Sequence, residues 1–314
     1  MSPSTGPVVV DAHQHFWDPA ARPYPWLTAA TPAIHRRFDV EDLRPLLTAT
    51  GVRRTVLVQS ADHREDTDAM LEQAHRYPEV AGVVGWVPLN DPAAAADELD
   101  RLRRDPVFVG VRTLVHDDPD PDLLVRPEVV ESLGLLAAAG VPFDVVAVLP
   151  RHLEHVSTLA ERHPTLKLVV DHLGHPPIGA DDGGRWADLL RRAAEHPTVH
   201  AKVSGLYPVV GDPSAWSAAD LAAPVRHALE VFGPQRLMVG GDWPVSVLHG
   251  GYVRVWGALR QVLAGLPDAD RDRLFGGTAR EFYGLSDALL GLGAEPSAGA
   301  PGDRDPSEGA RSTR

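Results

Sequence analysis

The chain has 314 residues, 44% hydrophobic and 23% charged, which is ample for a large buried core within a single domain. It has no cysteine, which excludes disulfides and thiolate metal sites and leaves any metal to histidine and carboxylate ligands. With 30 basic against 43 acidic residues the net charge is −13, which argues against nucleic acid as a partner.

Residues 1–7 are short, small and polar, and are expected to be flexible. They lack the basic-then-apolar pattern of a signal peptide, and no run of about 18 apolar residues follows to span a membrane. A soluble cytoplasmic protein, monomer or homodimer, is expected. The first apolar run, 8–13, leads into His13-Gln14-His15. Seven more runs follow at 54–59, 81–87, 108–114, 142–148, 166–172, 199–205 and 236–242. They are near-continuous in Val, Leu and Gly, the look of parallel strands covered on both faces. Helical patterns separate them, at 39–50, 65–76, 93–104, 128–139, 153–162, 185–195, 218–232 and 252–263, and a closing helical piece covers 268–285. Gly51, Gly140 and Gly233 are stop signals.

Eight β-then-α units in strict order predict one (β/α)8 barrel of the TIM type over 8–285. An open doubly wound sheet is the other arrangement. It often carries a glycine-rich phosphate loop after its first strand, and His-Gln-His stands there instead. Residues 16–38 form a long first connection rich in proline and aromatics, read either as a self-packed flap or as a substrate-contacting wall. From 286 onward Gly, Ala, Pro, Ser and charge predominate, and the tail 286–314 is expected to be disordered.

Barrel enzymes build their sites at the C-terminal ends of the strands. His13 and His15, two apart on the first strand, share a face, and alternation puts Asp11 on that face too. By itself a His-x-His pair among 15 histidines is close to chance; its position gives it weight. Asp242 ends the eighth strand, which neighbours the first once the barrel closes, and suits metal binding or proton abstraction from water. His172 ends the sixth strand. Lys202 and Arg112 are single cations within apolar strands, directed either at an anion or carbonyl in the mouth or at a buried carboxylate such as Asp144 or Asp171. Gln59 and Trp86, at two strand ends, are candidate substrate contacts, joined by Trp26 in the first connection and Trp243 beside Asp242. His175 is read as a loop residue. There is no Gly-x-Ser-x-Gly elbow, P-loop or His-Glu-x-x-His helix, so a covalent serine mechanism is not expected.

Taken together, Val10-Asp11-Ala12-His13-Gln14-His15-Phe16-Trp17-Asp18, Tyr24-Pro25-Trp26-Leu27, Gly110-Val111-Arg112, Asp171-His172-Leu173-Gly174, Lys202-Val203-Ser204-Gly205-Leu206, Gly241-Asp242-Trp243-Pro244 and Phe275-Gly276-Gly277-Thr278 resemble the amidohydrolase-related lactonase group, over about residues 8–285. The resemblance implies a distorted barrel that hydrolyses a lactone ring, with L-fucono-, L-rhamnono- and pyrone-dicarboxylate lactones among the group's substrates. It carries His13, His15, His172 and Asp242 over as the active-site core, and as ligands of one divalent ion, zinc by preference, if a metal is bound. No lysine stands on a middle strand to bridge two metals, so a binuclear site is not expected. Thr113 replaces a histidine common in the sugar lactonases, which leaves the particular lactone open. The expected chemistry is direct attack of water, with Asp242 as base and His172 with Lys202 or Arg112 stabilising the oxyanion. Non-oxidative decarboxylation and plain small-molecule binding are the alternatives.

Overall fold

The computed structural model describes residues 7–180, 183–209, 212 and 215–292. Eight parallel strands run in the order β1 to β8: β1 (Val10–Gln14), β2 (Arg54–Val58), β3 (Val80–Gly85), β4 (Phe108–Thr113), β5 (Phe143–Val145), β6 (Leu168–Val170), β7 (Val199–Val203) and β8 (Leu237–Val239). Helices α1 (Val40–Thr50), α2 (Arg64–Arg76), α3 (Pro92–Leu102), α4 (Pro127–Ala139), α5 (Pro150–Arg162), α6 (Gly183–Ala194), α7 (Ala218–Phe232) and α8 (Tyr252–Leu263) alternate with them. The predicted (β/α)8 barrel is the observed one. No helix among the described residues is long and apolar enough to cross a membrane.

Helix starts follow local chemistry. Asp39 and Asp91 accept hydrogen bonds from the free N–H groups of Glu41 and Ala94 at the first turns of α1 and α3. Every strand is shorter than its apolar run, three of them by more than half. In β5, β6 and β8 only three residues join the ladder, and the run continues as the loop that builds the barrel's C-terminal mouth.

Two apolar cores result. A large one lies between the sheet and the outer helices and includes Leu43, Leu57, Leu133, Phe143, Leu159, Val203 and Trp256. The smaller one fills the barrel from below, with Val10, Ala12, Val56, Val58, Val84, Val169 and Met238 of the strands covered by Ala279, Phe282, Tyr283, Leu285 and Leu290. The closing segment is therefore a plug. It is not one helix: α9 (Asp268–Asp272) and α10 (Thr278–Tyr283) flank a π-type turn, Arg273–Gly277, that packs on β1 and β8.

A short helix α11 (Asp287–Leu290) follows, capped by Ser286, with Leu290 buried under the barrel. This corrects the expectation that order stops at 286: the apolar Leu289 and Leu290 give the chain one more turn to bury. Residues 293–314 of the expected tail, and 1–6 of the expected flexible N-terminus, lie outside the described residues. Leu290→Ala, which opens a hole under the barrel, should cost about 2–4 kcal/mol in urea unfolding, with the unfolding slope unchanged.

Candidate active site

The first strand does not keep simple alternation. Val10 and Asp11 pair with Arg54 and Thr55, but Gln14 pairs with Leu57, so three residues of β1 span two of β2. Before this bulge Asp11 faces outward. Its carboxylate accepts hydrogen bonds from Tyr252 Oη of α8 (2.8 Å), Gly241 N (2.9 Å) and His13 N (3.0 Å). Beyond the bulge His13 and His15 face inward. This corrects the sequence reading of Asp11 as an inward residue. Asp11 pins the start of the β8 loop to β1, and burial pushes its carboxyl up to about 6.

Further hydrogen bonds close the seam at the same height. Asp242 N donates to His13 O (2.8 Å) and His15 N to Trp243 O (2.7 Å). The approach depends on Gly240, where a Cβ would lie 2.7 Å from His13 Cβ. Asp242 itself has a φ of 49°, which turns its carboxylate under the two imidazoles. Its Oδ1 lies 3.6 Å from His15 Nε2 and 3.8 Å from His13 Nε2, and those two nitrogens are 3.1 Å apart.

His172 arrives from β6 on an unusual turn. His172, Leu173, Gly174 and His175 all have positive φ, between 53° and 69°. Left-handed backbone costs roughly 1–2 kcal/mol per non-glycine residue, and such strain concentrates at functional sites. The turn sets the His172 ring 4.5 Å from that of His13 and puts its Nδ1 2.9 Å from Ser204 Oγ. Gly205, with φ of 57°, makes room: a Cβ there would lie 2.3 Å from His172 Nδ1.

The outer nitrogens of these rings are held. His15 Nδ1 lies 2.7 Å from Val58 O, so it carries the proton and leaves Nε2 as a free lone pair. Burial pushes His13 well below the usual imidazole range and also lowers His172, keeping both neutral. Burial works against charge on Asp242, but His172, His15 and His13 outweigh it and hold its carboxyl below the usual range. Donor atoms of His13, His172 and Asp242 lie within 4.8 Å of one another. Ligands about 2.0–2.1 Å from a tetrahedral zinc ion stand only slightly over 3 Å apart. Neutral imidazoles, a carboxylate and held outer nitrogens therefore fit one divalent ion of the zinc type, with His15 alongside.

Below this group lies a layer of buried charge. Lys202 is wholly buried, its Nζ 2.5 Å from Asp144 Oδ2, 3.0 Å from Asp171 Oδ1 and 3.1 Å from His13 Nδ1. Arg112 donates through Nη1 to Asp171 Oδ2 (3.1 Å) and through Nη2 to Gln59 O. Tyr283 Oη of the plug donates to Asp144 Oδ2 (2.8 Å). Burial works against charge on Asp171, but Lys202, His13 and Arg112 hold it well below the usual range. Burial raises Asp144 to about 6 despite Lys202.

Above, a cavity of about 270 Å³ opens at the C-terminal face. His15, His172 and Asp242 form its floor, Arg112 and His116 of the β4 end and His175 its polar wall, and Leu114, Val146 and Val148 an apolar arc. Trp26 covers one side, fixed by Nε1 donating to Ser60 O (2.6 Å).

A family profile described as amidohydrolase matches residues 10–285. The chain belongs to the amidohydrolase family. It is 40% identical over 279 residues to an L-fucono-1,5-lactonase of Burkholderia ambifaria, covering 87% of this chain and 94% of that one. It is 34% identical over 294 residues to an L-fucono-1,5-lactonase of Burkholderia multivorans, covering 89% and 97%. A crystal structure of an amidohydrolase from Burkholderia multivorans with bound zinc matches with a TM-score of 0.82 at 33% identity, covering 89% of this chain and 100% of that one.

Within this amidohydrolase frame the structure brings His13, His15, His172, Asp242, Arg112 and Trp26 together and sets four expected residues apart. Lys202 does not reach the mouth; an ammonium taken out of water needs acceptors, and the Asp144 and Asp171 carboxylates supply them. Gln59 is fully buried, its amide donating to Asp62 Oδ1 (2.8 Å) and Arg112 O (3.1 Å). Trp243 is turned away behind Asp242, edge-on to Phe38 and Phe16. Trp86 lines a separate crevice with Asp62 and Thr113. The first connection is both of the things read from it: Trp17 stands edge-on to Trp26 and Phe38, and Trp26 also walls the site. His175, read as a loop residue, lines the cavity, and Ser60, His116 and Tyr207 join it unforeseen. Continuing the period of two past the end of β4, through 112, 114 and 116, is the signal that finds His116.

Lys202→Met leaves Asp144 and Asp171 buried without their cation and should cost about 3–5 kcal/mol by chemical denaturation. Nitrogen-15 NMR should show the His13 and His172 rings keeping the neutral form to lower pH than an ordinary imidazole of pKa about 6.5.

Proposed function

We propose that the protein is a hydrolase that opens the ring of a sugar-acid lactone by direct attack of water at the barrel mouth. The observation that carries this is the ionised Asp242 carboxylate, held among three imidazoles on the floor of a cavity small enough for one sugar-sized ring. The two L-fucono-1,5-lactonase relatives support the substrate class. Among the cavity residues only Ser60 and Tyr207 offer a hydroxyl, and Ser60 Oγ contacts no base, so water rather than the protein is the nucleophile.

Asp242 takes a proton as the water oxygen bonds to the lactone carbonyl carbon. Arg112 and His172 face the carbonyl oxygen as it gains charge. The tetrahedral adduct then expels the ring oxygen, which takes up a proton, and the product is the open hydroxy acid. A divalent ion of the zinc type bound by His13, His15, His172 and Asp242 would polarise the carbonyl and acidify the water. Lys202 acts from behind, holding His13 in place.

Proton release from a panel of aldono-lactones, followed before and after chelation, tests substrate class and metal need together. Asp242→Asn should lower kcat by at least about a thousandfold with an unchanged circular dichroism spectrum. Carbon dioxide release in place of acid formation, or near-native turnover by the variant, would overturn the proposal.

A further inference from the structure

Three polar atoms on residues of the cavity wall lack a protein partner at full hydrogen-bond distance: Ser60 Oγ, Arg112 Nε and the Tyr207 hydroxyl, the last of which faces the Asp242 carboxylate. Ser60 is 2% exposed and Arg112 3%. An unpaired buried polar atom costs about 1–3 kcal/mol, and three around one cavity point to a ligand that completes them. Ser60 and Tyr207 sit past the ends of β2 and β7, and Arg112 is the next-to-last residue of β4. Tyr207 is also held rigid. Its ring stacks on His249 at 3.7 Å with 4° between the planes, and stands tilted against Trp216 at 6.4 Å. A phenol fixed in this way spends little freedom when it meets a ligand.

Resting on the lactonase reading above, we infer that Tyr207 and Ser60 read the ring hydroxyls of the substrate, making the site selective for a polyhydroxylated lactone over a bare one. Their hydroxyls bond to substituents spread around the ring, Arg112 Nε is left to the carbonyl oxygen, and the apolar arc of Leu114, Val146 and Val148 admits an edge that carries no hydroxyl. Discrimination of this kind is strong, because a substrate lacking the hydroxyl leaves the protein group buried and unpaired. Tyr207 and Ser60 are specificity-determining residues, distinct from the base and the oxyanion groups.

The test compares kcat/KM for a polyhydroxylated six-membered aldono-lactone with that for unsubstituted δ-valerolactone, in the wild type, Tyr207→Phe and Ser60→Ala. The ratio of the two should fall about tenfold or more in each variant, mainly through KM for the hydroxylated substrate. An unchanged ratio, or equal losses on both substrates, overturns the inference, since a purely structural role or an effect on Asp242 would slow both alike. If the wild type hydrolyses neither lactone, the lactonase reading itself fails. The inference is then judged by calorimetric binding of the open aldonic acid, which must weaken about tenfold in each variant for it to stand.

Discussion

The meeting of the first and last strands is the constraint on which the rest of the structure depends. Seven of the eight strand contacts are ladders, but the eighth, between β8 and β1, is a single bridge at Gln14 and Trp243 reinforced by the Asp11 carboxylate. Closure falls at the height where His13, His15 and Asp242 stand, so the bonds that shut the barrel also set the distances between these three side chains. The bulge in β1 makes this possible. It turns Asp11 outward to take hold of the β8 loop and α8, and two residues later turns His13 inward to face Asp242.

The charged layer beneath follows from the same closure. A barrel interior wide enough for side chains but closed to water must fill itself. Below, Val, Ala and Met do so with the plug. At mid-height Arg112, Asp144, Asp171 and Lys202 do so as two cations and two carboxylates, which balance. That layer gives His13 fixed polar neighbours at Nδ1 while its Nε2 faces His15 and Asp242. Buried ion pairs are poor sources of net stability but exacting about geometry, which suits a floor whose function is to hold a ring in one orientation.

The architecture was legible in the sequence because alternation of apolar runs and helical patterns is a whole-chain signal. The core of the site was legible for a narrower reason: His13, His172 and Asp242 close three apolar runs, and position at a strand end fixes where a barrel side chain goes. Lys202 and Trp243 show where that reasoning stops. Both lie at or beside strand ends, yet one is drawn down to carboxylates and the other is carried outward by the left-handed turn at Asp242, neither of which has a local signature. Tyr207 and Ser60 were missed for the opposite reason. They stand past the ends of the strands, in segments whose course is set by packing rather than by period. Asp11 was misplaced by one bulge, since a single extra residue reverses which face a side chain takes.

The hydrogen bond from Gly241 to Asp11 joins residues 230 apart in sequence, and this has a consequence in time. A ribosome emits the chain from its amino end, so His13 and His15 emerge first and wait for Asp242 until the seven strands between have been made. Long-range closures of this kind come late, after more local units have formed. The plug that seals the lumen comes later still, and Tyr283, which it carries, adds the second donor to Asp144 Oδ2. No nascent fragment that ends before β8 holds His13, His15, His172 and Asp242 together, so the cluster is assembled only once the closing strand is out.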